Sequence, residues 1–156
     1  MFITLRLSDS LPESKLEELI DYKLKYSDNP NNLEEIAERL RAIDNWLNKG
    51  HGSCILKYKP IQDVVDNTIN FYDGNKYILF DYVIMSNHIH LLLIPNDPIR
   101  ETMISFRRFT SRLINKITGK NGSVWQEDYF DRLIRNFKDF EETSDYIKTN
   151  PLGLKK

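Results

Sequence analysis

Apolar and polar residues alternate from Phe2 to Leu7, with Ile3, Leu5 and Leu7 on one side and Phe2, Thr4 and Arg6 on the other, which predicts a strand with one buried face. Ser10-Leu11-Pro12 breaks that pattern. The period then lengthens to that of a helix. Leu16, Leu19, Ile20 and Leu24 predict a helix over 14–26, and Leu33, Ile36, Ala37, Leu40, Ile43 and Leu47 predict a second over 33–47. Asn29-Pro30-Asn31-Asn32 forms the turn between them, and Gly50 is placed to cap the second. Both helices are acidic on their outer faces, so they read as a helical hairpin inserted over about residues 13–50 and facing water.

A short amphipathic helix is expected over 60–71, with Pro60 in its first turn, before Asp73-Gly74-Asn75 turns the chain. Two strand-like runs follow, 76–85 and 88–94, joined by Ser86-Asn87, and predict an antiparallel hairpin at the centre of a sheet. A long helix over 99–118 places Met103, Phe106, Phe109, Leu113 and Ile117 on one face and Arg108, Arg112 and Lys116 on the other. Residues 119–123 end it, 124–126 and 130–134 supply short extended segments, and a last helix over 138–150 is stopped by Pro151. Helices interleaved with adjacent antiparallel strands predict an α+β fold, an antiparallel sheet with helices packed on it in a ferredoxin-like or RRM-like arrangement.

Length and composition narrow the class. The chain has 156 residues, which suits one domain spanning 1–156. Six Gly and six Pro are too few for a low-complexity or collagen-like chain. The formal net charge of −1 excludes a uniformly basic coat for nucleic acid, but it is an average. Residues 1–98 hold 10 basic and 15 acidic side chains, whereas residues 99–138 hold 9 and 4, so a basic middle segment sits behind an acidic N-terminal part. The single cysteine, Cys54, can form no internal disulfide, which fits a reducing compartment. The N-terminus does not read as a leader, and the longest apolar run, 91–94, is far too short to span a membrane, so a cytoplasmic location is expected.

Two of the three histidines, His88 and His90, are separated by one residue. On a strand they project from the same face, about 6.6–7 Å apart along the chain, close enough to hold one cation, while Ile89 and Leu91 enter the core. A hydrogen-bonded histidine pair is the competing reading. In the last helix Tyr146 and Asn150 are four residues apart and share a face, while Phe140 and Ile147 could anchor that helix. A phenol and an amide oxygen directed together could serve one metal. They could equally be a packing residue and a cap before Pro151.

These residues carry a resemblance. The run from Tyr82 to Leu93, with His88-Ile89-His90 at its centre, resembles the His-hydrophobic-His strand of the single-tyrosine HUH transposases, particularly the REP-associated tyrosine transposase branch. The stretch Phe2 to Pro12, the run Ser123 to Arg135 and the final Tyr146-Ile147-Lys148-Thr149-Asn150-Pro151 are similar to other segments of that family, in the same order. Ser86 stands where relatives usually have proline, and Asn150 where they commonly have glutamine. The resemblance implies a divalent cation, Mg²⁺ or Mn²⁺, on His88 and His90 with Asn150 as a third ligand, and Tyr146 as the nucleophile. It also implies cleavage and rejoining of single-stranded or hairpin DNA through a 5′-phosphotyrosine. Tyr129 is a rival nucleophile. In that setting Arg108, Arg112 and Lys116, extended by Arg107, Lys120, Arg132 and Arg135, form a stripe toward the site that would neutralise DNA phosphates. Trp125, Tyr129 and Phe130 are either core aromatics or stacking platforms for bases. Monomer and homodimer both stay open. Two further readings stand beside an active transposase: a catalytically silent hairpin-binding module of the same fold, and an unrelated metal-dependent hydrolase with a structural tyrosine.

Overall fold

In the computed structural model, which describes residues 1–18 and 41–150, alternation at the N-terminus produces β1 (Phe2–Arg6). A 3-10 turn over Ile55–Lys57 leads into α1 (Lys59–Tyr72), with Pro60 at its start, where a missing N–H costs nothing. Strands β2 (Tyr77–Ile84) and β3 (His88–Pro95), helix α2 (Ile99–Thr118), strand β4 (Phe130–Arg132) and helix α3 (Phe137–Thr149) follow. The four strands lie in the order β2-β3-β1-β4, every neighbouring pair antiparallel, which is the ferredoxin-like order. The β2–β3 hairpin forms as expected, yet only β3 is central. The β2 strand is an edge, because β1 returns to pair with the far side of β3.

Register divides the side chains between two layers. Ile3 lies opposite Leu91 and Leu5 opposite Ile89, and these residues meet Ile61, Val65 and Ile69 of α1 and Met103, Phe106 and Ile114 of α2 in the main core. On the other face Thr4 lies opposite His90 and Arg6 opposite His88. Here α3 covers the sheet, packing Ile147 against Val83, Met85 and Leu92. Both faces of β1 are therefore covered and Thr4 and Arg6 are buried, which corrects the expectation of a single buried face. Alternation marks the two faces of a strand, but it does not report what lies over the polar one.

Two further expectations are corrected. The buried face of α2 is rotated, with Thr102, Thr110 and Ile114 inside, while Phe109 and Ile117 are each 41% exposed. Thr110 is accepted in the core because its hydroxyl bonds the Phe106 carbonyl at 2.8 Å and receives the Trp125 indole N–H, also at 2.8 Å. The inserted segment does not simply face water either. Residues 13–18 and 41–47 are helical, and Ile43 and Leu47 are buried with Leu11 beside Leu16, Trp46 and Phe130. The remainder of the first helix, the turn at 29–32, the start of the second helix and the segment beyond Pro151 lie outside the described residues.

A bulge in β2, where the register shifts between Leu79 and Asp81, brings both Phe80 and Asp81 to α3. Phe80 stacks edge-on with Phe140 at 5.1 Å, and Asp81 accepts from Ser144 Oγ at 2.6 Å. The other end of α3 starts at Asn136, whose side chain accepts from the Asp139 N–H.

The loop after the insertion is clamped to the end of β1. Ser53 N–H donates to Asp9 Oδ2 at 2.8 Å, and Gly52, at φ +84°, leaves so little room that a Cβ would lie 2.3 Å from the Asp9 carbonyl oxygen. Gly74 has a similar φ of +74° but open space around it. Gly74→Ala should therefore cost only the left-handed penalty of about 1–2 kcal/mol. Gly52→Ala should cost clearly more, as read by denaturant unfolding of the two variants, and equal losses would contradict the clamp.

Candidate active site

The turn between β2 and β3 builds the first half of the site. Asn87 is fully buried, and its amide donates to the His51 carbonyl at 3.0 Å. Its Oδ1 accepts from His88 Nδ1 at 2.8 Å, which leaves a lone pair on His88 Nε2. From β1, Thr4 Oγ1 lies 2.9 Å from His90 Nδ1, and Phe2 stacks on the His90 ring at 5.1 Å. The outer nitrogens are thus held by the protein and the two Nε2 atoms converge to 3.1 Å. Both rings are 0% exposed. Burial pushes the His88 imidazole down to about 3, and burial together with the neighbouring His88 pushes His90 well below its usual range. Both are neutral near pH 7, the form that ligates metals.

Helix α3 supplies the second half. The Tyr146 ring lies edge-on to His90 at 5.6 Å and to Phe2 at 6.3 Å. Its phenol donates to Asp44 Oδ2 at 3.4 Å. Burial foremost, then the Asp44 charge, pushes the phenol up to about 12, against hydrogen bonds from Asn48 and Asn150 that pull it down. Asp44 is itself raised to about 6, mainly by burial, with the bond from Tyr146 and the charge of Arg132 opposing. Between segment 41–47 and α3 opens a cleft of about 280 Å³ lined by Phe2, Arg41, Asp44, Arg132 and Tyr146.

The histidine pair alone has the spacing of two ligands of one divalent cation, and among the described residues no group of three His, Cys, Asp or Glu is placed to hold a metal ion. Two imidazole nitrogens, each about 2.1 Å from one ion at a near-right angle, stand about 3 Å apart, close to the spacing found here. Asn48 Oδ1 is a buried oxygen with no hydrogen-bond partner among the described residues.

His88, His90, Tyr146 and Asn150 are thus brought together from β3 and α3. The basic residues are not. Helix α2 lies on the opposite layer of the sheet, so Arg108, Arg112 and Lys116 do not lead to the histidines, which corrects the expected stripe. Arg107 donates to the carbonyls of Gln126 (2.9 Å) and Glu127. Lys120 lies exposed just beyond α2. Arg135 stands at the approach to α3, its backbone N–H on Asp139. Only Arg132 reaches the cleft, where it binds Asp139 and, at 2.8 Å, Thr143. Trp125 is a core residue at 1% exposure; Phe130 packs beside Leu11, Ile43 and Leu47, and Tyr129 against the main core.

Asp44, Asn48, Thr4, Asn87 and Arg6 escaped the sequence reading. Arg6 is buried opposite His88, with Nε and Nη1 lacking any hydrogen-bond partner among the described residues. The one available signal was positional, since Thr4 and Arg6 share the strand face that Phe2 opens.

Fold and site together define an α+β protein of ferredoxin-like strand order with a buried histidine pair facing a helix-borne tyrosine. The family model described as "Transposase IS200 like" matches residues 55–150, and the chain belongs to that family. Among solved structures it is similar to one described as "Structure of the REP associates tyrosine transposase bound to a REP hairpin", with 17% identity and a TM-score of 0.49, covering 96% of this chain and 64% of that one. This chain thus spans a little under two thirds of that neighbour. No curated protein matches. Among the described residues no helix is long and apolar enough to cross a membrane.

Neutral burial of the histidines has a pH signature. Their folded pKa values lie below the unfolded value of 6.5, so below that pH the unfolded chain binds protons that the folded chain refuses. Asp44 acts in the opposite sense between 3.8 and about 6, but it is one group against two. In chelator, the midpoint of thermal unfolding should therefore fall as pH drops from 6.5 toward 4. His90→Gln should flatten that slope, and an identical slope in the variant would exclude the histidines as its source.

Proposed function

We propose that this chain is a metal-dependent single-strand DNA transposase that cuts and rejoins DNA beside hairpins through a 5′-phosphotyrosine on Tyr146. The observation that carries the reading is Tyr146 of α3, which lines an arginine-flanked cleft with its ring 5.6 Å from His90, whose Nε2 in turn lies 3.1 Å from that of His88. His88 and His90 would hold Mg²⁺ or Mn²⁺, with Asn150 next to the phenol as the amide donor. When bound, the cation supplies positive charge to the non-bridging phosphate oxygens and favours the phenolate, effects worth several kcal/mol in the transition state.

The chain's own groups account for the remainder. Tyr146 attacks phosphorus, a tyrosyl O–P bond forms, the P–O3′ bond breaks, and the 3′ oxygen leaves as a hydroxyl after taking a proton from solvent water. The phenolic proton departs toward Oδ2 of Asp44, its hydrogen-bond acceptor at 3.4 Å. Because the phosphoryl group stays covalently attached, a second 3′-hydroxyl can reverse the step without ATP. Arg41 and Arg132 at the cleft suit a phosphate. Tyr146 is favoured over Tyr129 because Tyr129 packs beside the core on the opposite layer from the histidines.

The DNA flanking the cut has a separate place to bind. An open groove of about 970 Å³ runs between α2 and residues 123–129, lined by Arg100, Arg107 and Arg108 among others, with Glu127 and Asp128 at one side. Arg112 and Lys116 continue its basic edge along α2.

With Mn²⁺ and single-stranded hairpin DNA, the protein should form a covalent adduct that denaturing gels resolve, and Tyr146→Phe should remove it. An adduct that persists in the variant overturns the nucleophile, and none in the wild type favours the silent hairpin-binding reading. Reversing Arg108 and Arg112 to Glu should weaken hairpin binding and flatten its dependence on salt by about one log unit per lost phosphate contact. An unaltered slope would remove α2 from the DNA contact.

A further inference from the structure

Phe109 has the spacing of a core residue but does not pack as one. Thr110 takes the inward position on α2, and Phe109 is left 41% exposed, outside every apolar cluster found among the described residues. It stands on a strongly basic helix. Of the charged side chains of α2, Glu101 alone is acidic, while Arg100, Arg107, Arg108, Arg112 and Lys116 are basic. The Arg112 guanidinium lies over the Phe109 ring, 5.5 Å from its centroid. An open groove of about 590 Å³ has this ring in its wall, together with Glu101, Ile104, Ser105, Arg108 and Arg112. Ile104 and Arg108 also line the larger groove between α2 and residues 123–129, so the two grooves adjoin across the helix.

We propose that Phe109 is a stacking platform for an unpaired base of the single-stranded DNA flank, with Arg108 and Arg112 on the phosphates beside it. The inference rests on the DNA-binding reading above and names a contact which that reading does not require.

The chemistry of the patch selects its occupant. An excess of basic side chains selects a polyanion. A flat aromatic ring selects a ligand with π-faces of its own, and a nucleic-acid strand combines both features in every nucleotide. An acidic protein segment would answer the charge and leave the ring unused. The guanidinium over the ring adds a cation–π contribution, so that guanidinium, ring and base form one stack. The bases of a paired stem are already stacked on one another, whereas the flank has free faces. Because Phe109 lies outside the core clusters, its removal separates binding from stability.

The test is binding of the full chain, in chelator so that no strand is cut, to hairpin DNA whose single-stranded flank carries either thymines or abasic sites. Wild type should bind the thymine flank about tenfold more tightly than the abasic one. Phe109→Ala should bring the two flanks within about twofold of each other. The ring carries no charge, so that variant should keep the wild-type affinity for the abasic flank, its salt dependence and the melting temperature. Phe109→Trp should keep the thymine preference, and Phe109→Leu, apolar but without a π-face, should lose it. Equal affinity of wild type for both flanks, or a preference that Phe109→Ala or Phe109→Leu retains in full, would overturn the platform alone. Displacement of the thymine-flank DNA by polyglutamate of equal charge would assign this face to an acidic protein instead. No binding of wild type to either DNA would overturn the DNA-binding reading beneath it.

Discussion

Two neutral imidazoles, fully buried on a central strand with their Nε2 atoms 3.1 Å apart, are the constraint around which one half of this molecule is arranged. Buried polar groups must be satisfied, and a ring free to turn would leave a nitrogen stranded in apolar surroundings. Thr4 and Asn87 prevent this by holding the outer nitrogens. Thr4 comes from the strand paired with β3, and Asn87 from the turn that starts it. Ring orientation is therefore set by the sheet register itself. A slip of one residue would present Ile89 and Leu91 to the site and send both histidines into the apolar core.

Those features were unequally legible in the amino-acid sequence. The helix over 99–118 and the strand pair around Ser86-Asn87 could be read almost to the residue, because long periodic runs and a two-residue connection are local signals. His88 and His90 were legible for the same reason, as was the shared face of Tyr146 and Asn150. Asp44 was not, because it stands 44 residues from His88 and its proximity depends on how Ile43 and Leu47 seat against Leu11. Arg6 was hidden in plain alternation, where a polar position implies solvent unless another layer covers it. Phe109 and Ile117 misled in the opposite way. They have the right spacing for a core face, but Thr110 takes that place by returning its hydroxyl to the Phe106 carbonyl and receiving the Trp125 N–H.

The two-layer division also changes what the charge distribution means. The basic residues of α2 and the histidine pair are separated by the sheet, so the charge of α2 does not reach the histidine side at close range. Beyond about one Debye length, roughly 8 Å at physiological salt, its influence on exposed groups is largely screened. Its natural service is to the open groove on its own layer. Among the described residues, Arg41 and Arg132 are the basic side chains that line the cleft with the phenol.

The environment that keeps the imidazoles neutral is the same one that keeps the Tyr146 phenol protonated. Burial lowers His88 to about 3 and raises Tyr146 to about 12 because both shifts favour the uncharged form. Asp44 deepens the second effect, since its negative charge disfavours a phenolate beside it. A dication at the pair would offset the carboxylate and favour the phenolate while keeping the imidazoles neutral.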